Sequence, residues 1–481
     1  MSRKLEVDWS MPSPPIPPQT WYRWAATPAG PPEDASLEDA LGWPEGTLAV
    51  LRQAFQLGLG RATGWELPPT TAVEGAWTAA ASVYRRGVAL RAAGARGATQ
   101  KQEFTGKPSS QRDSPTNTGL YPIHVGNAAT PATSLSPAGQ LVVADARVAA
   151  LWPTLVPPAG ASCLHLALDE HGKTLASVAQ ILAGWHSASR PARWLIIGGG
   201  LLSDVAAFAG ALAGARLELV PTTLLAMADA SVGGKTGVNF APYGKNQLGA
   251  FYFPDAVHVW TGWLATLPPR ELAAGGAECL KHAMLTGDVS LAKAVAAALA
   301  ARDLSGLAQL LPAVIRVKAD VVAEDPGEGA RRATLNLGHT LAHALEAVSQ
   351  ERTQGEETLL HGEAVAVGLV FALILSRRLA GLAQTTETEL RSLLTQAGIV
   401  PDHATLARRL GVQTLAGHEL ASELLRWTGY DKKNIAGSQA PSQWVLLAAP
   451  GIVKRGPAGA WTVGVPPAAI LDAWSELTQT L

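Results

Sequence analysis

The sequence predicts an α/β domain followed by a mostly helical one, with a small helical extension ahead of both. Three observations carry this. From Leu120 onward short apolar segments alternate with helical stretches, the pattern of a parallel sheet flanked by helices. After Pro268 the strand signals fade and helical stretches dominate. Ahead of both, residues 97–118 are polar and rich in Gly, Ser and Pro, the composition of a flexible linker. The chain therefore divides into an extension (1–96), a linker (97–118), an α/β domain (119–267) and a helical domain (268–481).

The extension starts with the proline-rich run Met11–Pro18 and carries six tryptophans, at positions 9, 21, 24, 43, 65 and 77. Leu37–Phe55 and Val73–Ala93 read as helices, broken by Glu66–Thr70. Ala40–Ala49 faintly resembles part of a helix-turn-helix DNA reader. Residues 1–100 hold nine basic and nine acidic side chains, so no nucleic acid is expected, and a helical interaction module is the reading. In the α/β domain, Gln140–Ala144, Ser162–Leu166, Trp194–Ile197 and Leu217–Val220 read as buried strands. In the helical domain, Glu271–Ala300, Leu307–Val322, Asn336–Ser349, His361–Leu379 and Glu387–Ala397 read as helices, and Trp444–Ala448 as a late strand.

Composition removes several function classes. The formal charge of -1 offers no attraction to nucleic acid or an anionic membrane. Only 16% of residues are charged and the mean hydropathy is +0.13, which raises the membrane question. The longest uncharged apolar runs, Ala364–Leu375 and Val205–Ala215, fall short of the ~20 residues a spanning helix needs. The N-terminus shows no apolar signal core, and two cysteines cannot build a disulfide framework, so a reducing cytoplasm is expected.

The chemistry-bearing residues fall in blocks. Ile197–Asp204 places three glycines between an expected strand and an expected helix, where the backbone can approach a phosphate. Its spacing is not G-x-G-x-x-G, so a plain tight turn fits equally well. Asp229–Thr236 ends in Gly-Gly-Lys-Thr but lacks the spacing of a phosphate-binding P-loop. Gly244–Asn246 adds a second lysine and an amide. In the helical half, His339 and His343 lie four apart, Glu278 and Lys281 three apart, and His361 and Glu363 open a very apolar helix. Three His and Glu ligands with one open position are the pattern of a catalytic zinc. Hydrogen-bonded core histidines and solvated carboxylates are the alternative reading of each residue alone.

From Leu120 to the C-terminus the sequence resembles the 3-dehydroquinate synthases. The resemblance rests on ordered blocks: Gly198–Asp204, Val220–Thr236, Gly244–Asn246, Thr266–Gly275, Ala277–Lys281, Leu335–His339, Leu360–Ala366 and Asp431–Lys433. It implies a Rossmann-like NAD-binding α/β domain, a helical metal-binding domain, a site between them and a homodimer. It implies conversion of 3-deoxy-D-arabino-heptulosonate 7-phosphate, a sugar-acid phosphate, to 3-dehydroquinate and phosphate, with NAD regenerated in each turnover. The steps would be oxidation, phosphate elimination, reduction, ring opening and aldol closure. Carried over residue by residue, Glu278, His339 and His361 would hold zinc or cobalt. His343 would be an acid/base group. Asp229, Lys235, Asn246, Lys281, Lys318, Arg332, Asn336 and Lys432 would surround the substrate. Glu170, Lys173, Gly199, Gly200, Asp204, Thr222, Thr223, Lys235, Lys245 and Thr266 would hold NAD.

Some positions depart from the family pattern. Ala213 stands where an arginine of the phosphate site is usual, and Arg216 lies three residues on as a substitute. Ser203 replaces a glycine, and Gln350–Glu357 looks like a surface insertion. Two alternatives follow: another sugar-phosphate cyclase acting on sedoheptulose 7-phosphate or glucose 6-phosphate, and a weakly active homologue whose extension serves binding or regulation.

Overall fold

The computed structural model describes residues 116–117, 121–126, 138–240, 244–353, 358–429 and 441–481. The two helices expected in the extension lie outside these residues, as does all of the expected linker except Thr116 and Asn117.

Among the described residues the sheet half contains β1 (Thr116–Asn117), β2 (Pro122–Gly126), β3 (Leu141–Asp145), β4 (Cys163–Leu166), β5 (Arg193–Gly198), β6 (Arg216–Pro221) and β9 (Ala256–Trp260) in one sheet ordered β1-β2-β9-β6-β5-β3-β4. All neighbours run parallel except the β1–β2 pair. Helices α1 (Ala146–Leu151), α2 (Leu175–Ser187) and α3 (Gly200–Ala213) connect β3, β4, β5 and β6. Leu141 to Ala144 and Trp194 to Ile197 are buried on both faces, which is why these strands read as continuous apolar runs. β3 sends its first connection to β4 on one side, while the chain returns to β5 on the other. The crevice at the carboxyl ends of β3 and β5 is therefore a topological switch point, where open α/β sheets bind ligands.

A hairpin of β7 (Lys235–Phe240) and β8 (Gly244–Phe251) leaves the sheet before β9. The sequence reading missed it. Its polar, glycine-containing strands lack an apolar period, and Gly237 and Gly249 face each other so closely that a Cβ at Gly249 would sit 2.1 Å from the Thr236 carbonyl oxygen.

The helical half comprises α4 (Pro269–Thr286), α5 (Val289–Ala300), α6 (Leu304–Glu324), α7 (His339–Thr353), α8 (His361–Leu379), α9 (Gln384–Gln396), α10 (His403–Arg409), α11 (His418–Gly429) and α12 (Pro467–Thr480) among the described residues. The single helix expected over Glu271–Ala300 is two. Gly287 ends α4 in a left-handed conformation and Asp288 caps α5 through its side chain. The helix expected from Asn336 begins only at His339, because Arg331–Asn336 forms a 3-10 turn. Part of the expected insertion, Gln350 to Thr353, continues α7. The late strand is also two short ones, β10 (Ser442–Trp444) and β11 (Leu447–Ala449), which pair with β13 (Val463–Val465) and β12 (Ile452–Val453) respectively.

α8 contains the longest of the uncharged apolar runs, Ala364–Leu375. It runs buried from Gly362 to Ser376 at the centre of the helical half. Among the described residues no helix is long and apolar enough to cross a membrane. Its neighbours approach through glycines: a Cβ on Gly362 would lie 1.9 Å from the Ala274 carbonyl oxygen on α4, and one on Gly368 would lie 2.0 Å from the Gly338 carbonyl oxygen before α7. These contacts set α4, α7 and α8 side by side.

Candidate active site

Three helices deliver three metal-type donors to one point. Glu278 lies in the middle of α4, and His339 and His361 are the first residues of α7 and α8. His339 Nε2 and His361 Nε2 each lie 3.4 Å from Glu278 Oε1. Their ligand atoms all fall within 4.8 Å of one another. Protonation follows from the other ring nitrogens. His339 Nδ1 faces the Leu337 carbonyl oxygen at 3.2 Å, and His361 Nδ1 faces Glu346 Oε2 at 3.3 Å. Both partners can only accept, so each neutral ring carries its hydrogen on Nδ1 and turns an Nε2 lone pair toward Glu278. Two Nε2 atoms and a carboxylate thus converge on one volume. Among the described residues both Glu278 oxygens make ion contacts, to Lys281 and to the histidines, but no hydrogen bond. Polar groups this buried are costly unless matched, and a divalent cation matches this donor set.

The charges agree. Burial alone would raise the Glu278 carboxyl, but the adjacent Lys281 ammonium outweighs it and holds the group well below its usual range. Burial lowers His339, with Lys281 adding to the effect, so it stays neutral. Burial also opposes a charge on His361, yet Glu346 and Glu278 on its two sides raise it to about 10. A cation at Glu278 would take the place of that proton.

A second acidic group lies close by. Asp229 lies in a π-helical turn, Ala226–Ala230, that follows β6. Its carboxylate is 2.8 Å from Lys318 Nζ and 3.7 Å from Lys281 Nζ, and Lys318 also donates to its carbonyl at 2.7 Å. Burial would raise this carboxyl, but Lys318 and then Lys281 pull it well below the ordinary range. Asp229, Glu278 and the buried His282 also come together. Two lysines already neutralise that trio, so the donor set around His361 is the better cation site.

The remaining expected substrate residues are Arg332, Lys235, Asn336, Asn246, His343 and Lys432. Arg332 is buried and aimed by hydrogen bonds to the Gly233 carbonyl at 2.7 Å and the Pro326 carbonyl at 3.0 Å. The turn before it is held by Asp325, which accepts from the backbone N–H groups of Gly329, Ala330 and Arg332. Lys235 pairs with Glu328 at 2.7 Å. Burial lowers the Lys235 ammonium to about 8 against the opposing pull of Glu328. About half of that side chain, 52%, remains open to solvent. Asn336 closes the 3-10 turn and donates to the Ala333 carbonyl at 3.2 Å. Asn246 is exposed on β8 in a left-handed conformation, φ 53°, with its N–H on Asn239. His343 is exposed on α7, its ring 5.6 Å from that of His339. Lys432 lies outside the described residues.

Of the expected NAD residues, Gly199 and Gly200 lie at the switch point, after β5. Gly199 caps α3, and Gly200 is its first residue. A Cβ on Gly200 would lie 2.9 Å from the Ala230 Cβ, and one on Gly198 2.7 Å from Leu202. The close approach at Gly200 disfavours a side chain there, and the first N–H groups of a helix such as α3 can take an anion. Thr222 keeps a buried hydroxyl that is unpartnered among the described residues, while the Thr223 hydroxyl accepts from Ala226 N–H at 3.1 Å. Lys173 is buried against Asp204 at 2.6 Å. Glu170 accepts from Asn239 at 2.9 Å and lies 3.6 Å from Lys245. Thr266 is engaged elsewhere: its hydroxyl accepts from Trp152 Nε1 at 2.9 Å, in a cluster of Trp152, Trp260 and Trp263.

Arg216 lies three residues after Ala213, beyond the end of α3. It sits at the amino end of β6, the far end from the glycine turn, and contacts Asp255 at 3.0 and 3.1 Å. Sequence reasoning missed Glu346, Glu328, Asn239 and His282. For two of them a signal exists: Glu346 lies seven residues after His339 and His282 four after Glu278, spacings that keep a helix face.

Comparison with known proteins agrees with this geometry. Residues 164–274 match the family model described as 3-dehydroquinate synthase N-terminal, and residues 275–433 match that of 3-dehydroquinate synthase C-terminal. The chain is 38% identical over 379 residues to a 3-dehydroquinate synthase of Acidithiobacillus ferrooxidans, covering 75% of this chain and 94% of that protein. It is 41% identical over 300 residues to one of Rhodospirillum rubrum, covering 59% and 77%. Among solved structures, 2-epi-5-epi-valiolone synthase from Streptomyces hygroscopicus subsp. jinggangensis, with NAD+ and Zn2+ bound, aligns with TM-score 0.60 at 22% identity over 78% of this chain and all of that one, 100%. A 2-deoxy-scyllo-inosose synthase complexed with carbaglucose-6-phosphate, NAD+ and Co2+ aligns with TM-score 0.58 at 22% identity, covering 74% and 96%. At that identity these two structures speak to the fold.

Proposed function

The chain belongs to the 3-dehydroquinate synthase family, and from that premise we propose that its cleft converts 3-deoxy-D-arabino-heptulosonate 7-phosphate to 3-dehydroquinate and phosphate. This is a step of the shikimate route to chorismate and the aromatic amino acids. In the finer reading the enzyme is a phosphate-eliminating carbon–oxygen lyase that uses NAD and a divalent metal, zinc or cobalt, and works as a homodimer.

The observation that carries the reading is the meeting of Glu278, His339 and His361 beside a ring of buried cations. Glu278, His339 and His361 would hold the metal. Gly199, Gly200, Asp204, Thr222 and Lys173 would hold NAD at the switch point. When bound, the nicotinamide takes and returns a hydride and the metal polarises substrate oxygens. The protein's own side chains do the rest. Arg332, fixed by two carbonyls, offers its fork to a carboxylate. Lys235, Lys281 and Lys318 act as point charges for a doubly anionic substrate. Asp229 stays ionised between Lys281 and Lys318 and keeps both ammonium groups in place. His343, on the open side of α7, would move protons at the substrate. Lys318 and Arg332 disfavour the alternative substrates, sedoheptulose 7-phosphate and glucose 6-phosphate, which bring no carboxylate to match them.

The test is phosphate release from the heptulosonate phosphate, with and without NAD and with a chelator. Release that needs NAD and stops on chelation is the expected result. Full activity of metal-stripped protein, or turnover of sedoheptulose 7-phosphate in its place, would overturn the reading.

A further inference from the structure

Glu346 belongs to none of the residue sets above, yet the helices place it against the metal-type cluster. It lies on α7 seven residues after His339, so both side chains leave the same helix face. Its side chain is 12% exposed. One carboxylate oxygen lies 3.3 Å from His361 Nδ1, and the other 3.5 Å from Lys245 Nζ on the β7–β8 hairpin.

The consequence for His361 is geometric. His361 is the first residue of α8, with no preceding helical turn to confine its ring, and its side chain is 34% exposed. His339 has the Leu337 carbonyl to fix its ring. Of the contacts on His361 Nδ1, the one that can accept its proton is Glu346. Accepting that N–H selects the tautomer with a free lone pair on Nε2 and turns that atom toward Glu278 Oε1. Lys245 holds the carboxylate from its other side, so Glu346 is itself restrained.

We propose that Glu346 is the positioning residue of the metal centre: it orients His361 and sets its tautomer, and through Lys245 it joins the metal-holding helices to the hairpin of the sheet half. It touches neither metal nor substrate. The inference rests on the metal reading given under Proposed function.

The experiment measures zinc affinity of the whole protein by competition with a chromophoric chelator, in the wild type, Glu346→Ala, Glu346→Gln and the surface control Glu389→Gln. Thermal unfolding of each metal-free protein is followed alongside. Glu346→Ala should bind zinc about 10–100-fold more weakly. Glu346→Gln keeps an acceptor oxygen of the same reach and should recover part of that loss. The control should match the wild type. In the cobalt-loaded protein, the visible absorption bands should shift in Glu346→Ala and return toward wild type in Glu346→Gln. Wild-type zinc affinity in Glu346→Ala would overturn the proposal. So would an equal loss in both variants, since charge alone would then matter. A lowered unfolding temperature with unchanged affinity would reduce Glu346 to a structural residue and overturn it as well. If the wild type itself takes up no zinc, the metal reading fails and this inference falls with it, an outcome distinct from the others.

Discussion

Glu278 is a buried carboxylate with Lys281 beside it and the Nε2 atoms of His339 and His361 each 3.4 Å away. Glu278→Gln keeps the shape and removes the charge. Zinc affinity should then fall by roughly 100-fold or more and turnover with it, as read by chelator competition and phosphate release. Lys235 gives a pH signature. Its ammonium is lowered to about 8, so it is charged below that value and neutral above it. If Lys235 holds a substrate anion as proposed, its contribution is present on the acid side and lost as pH rises through about 8. KM should climb across that range, and Lys235→Met should raise KM at neutral pH and flatten the climb. At this scale the sequence showed residue types well and partners poorly. His339 and His361 stand out in apolar surroundings, whereas His361 and Glu346 meet only because α7 and α8 lie side by side. No local spacing encodes that contact.

Elements decide whether these residues meet. α8 runs against α4 at Gly362, where a methyl group would strike the Ala274 carbonyl at 1.9 Å. Gly362→Ala should push the two helices apart, cost about 2–4 kcal/mol of stability and weaken zinc binding, because His361 is the adjacent residue. Thermal unfolding and zinc titration check both. The turn between α6 and Arg332 depends on three N–H groups gathered by Asp325. Its carboxyl is held low: burial opposes this, but the Arg332 N–H and two more outweigh it. Asp325→Ala should cost about 1–3 kcal/mol and raise KM through a misaimed Arg332, with kcat less affected. Strong strands such as Leu141–Asp145 and the long apolar helix α8 were legible from pattern alone. The break at Gly287 was not, since apolar spacing continues across it into α5. The β7–β8 hairpin was not, since its strands are specified by close backbone approach at Gly237 and Gly249 rather than by apolar period.

For the molecule as a whole, the division into a sheet half and a helical half follows from the change of periodicity near Pro268, and the cleft lies where the two meet. What periodicity cannot supply is the joining of the halves by Lys318 on Asp229, Arg332 on Gly233 and Lys245 on Glu346. All of these lie within residues 116–481. A chain starting at Ser114 is thus expected to keep zinc affinity and turnover within about twofold of the full chain, the scatter allowed for distant, uncoupled changes; a larger loss in the coupled assay would tie the extension to catalysis. The three cation donors come from three separate helices, α4, α7 and α8. A denatured chain does not hold them together, so an ion that recognises the trio recognises only the folded state. By mass action such an ion adds to folding stability in proportion to the logarithm of its free concentration, about 2.7 kcal/mol at a hundredfold excess over Kd. Metal supply would then set how long the protein survives heat as well as how fast it works, and the melting temperature would become a gauge of site occupancy that needs no substrate.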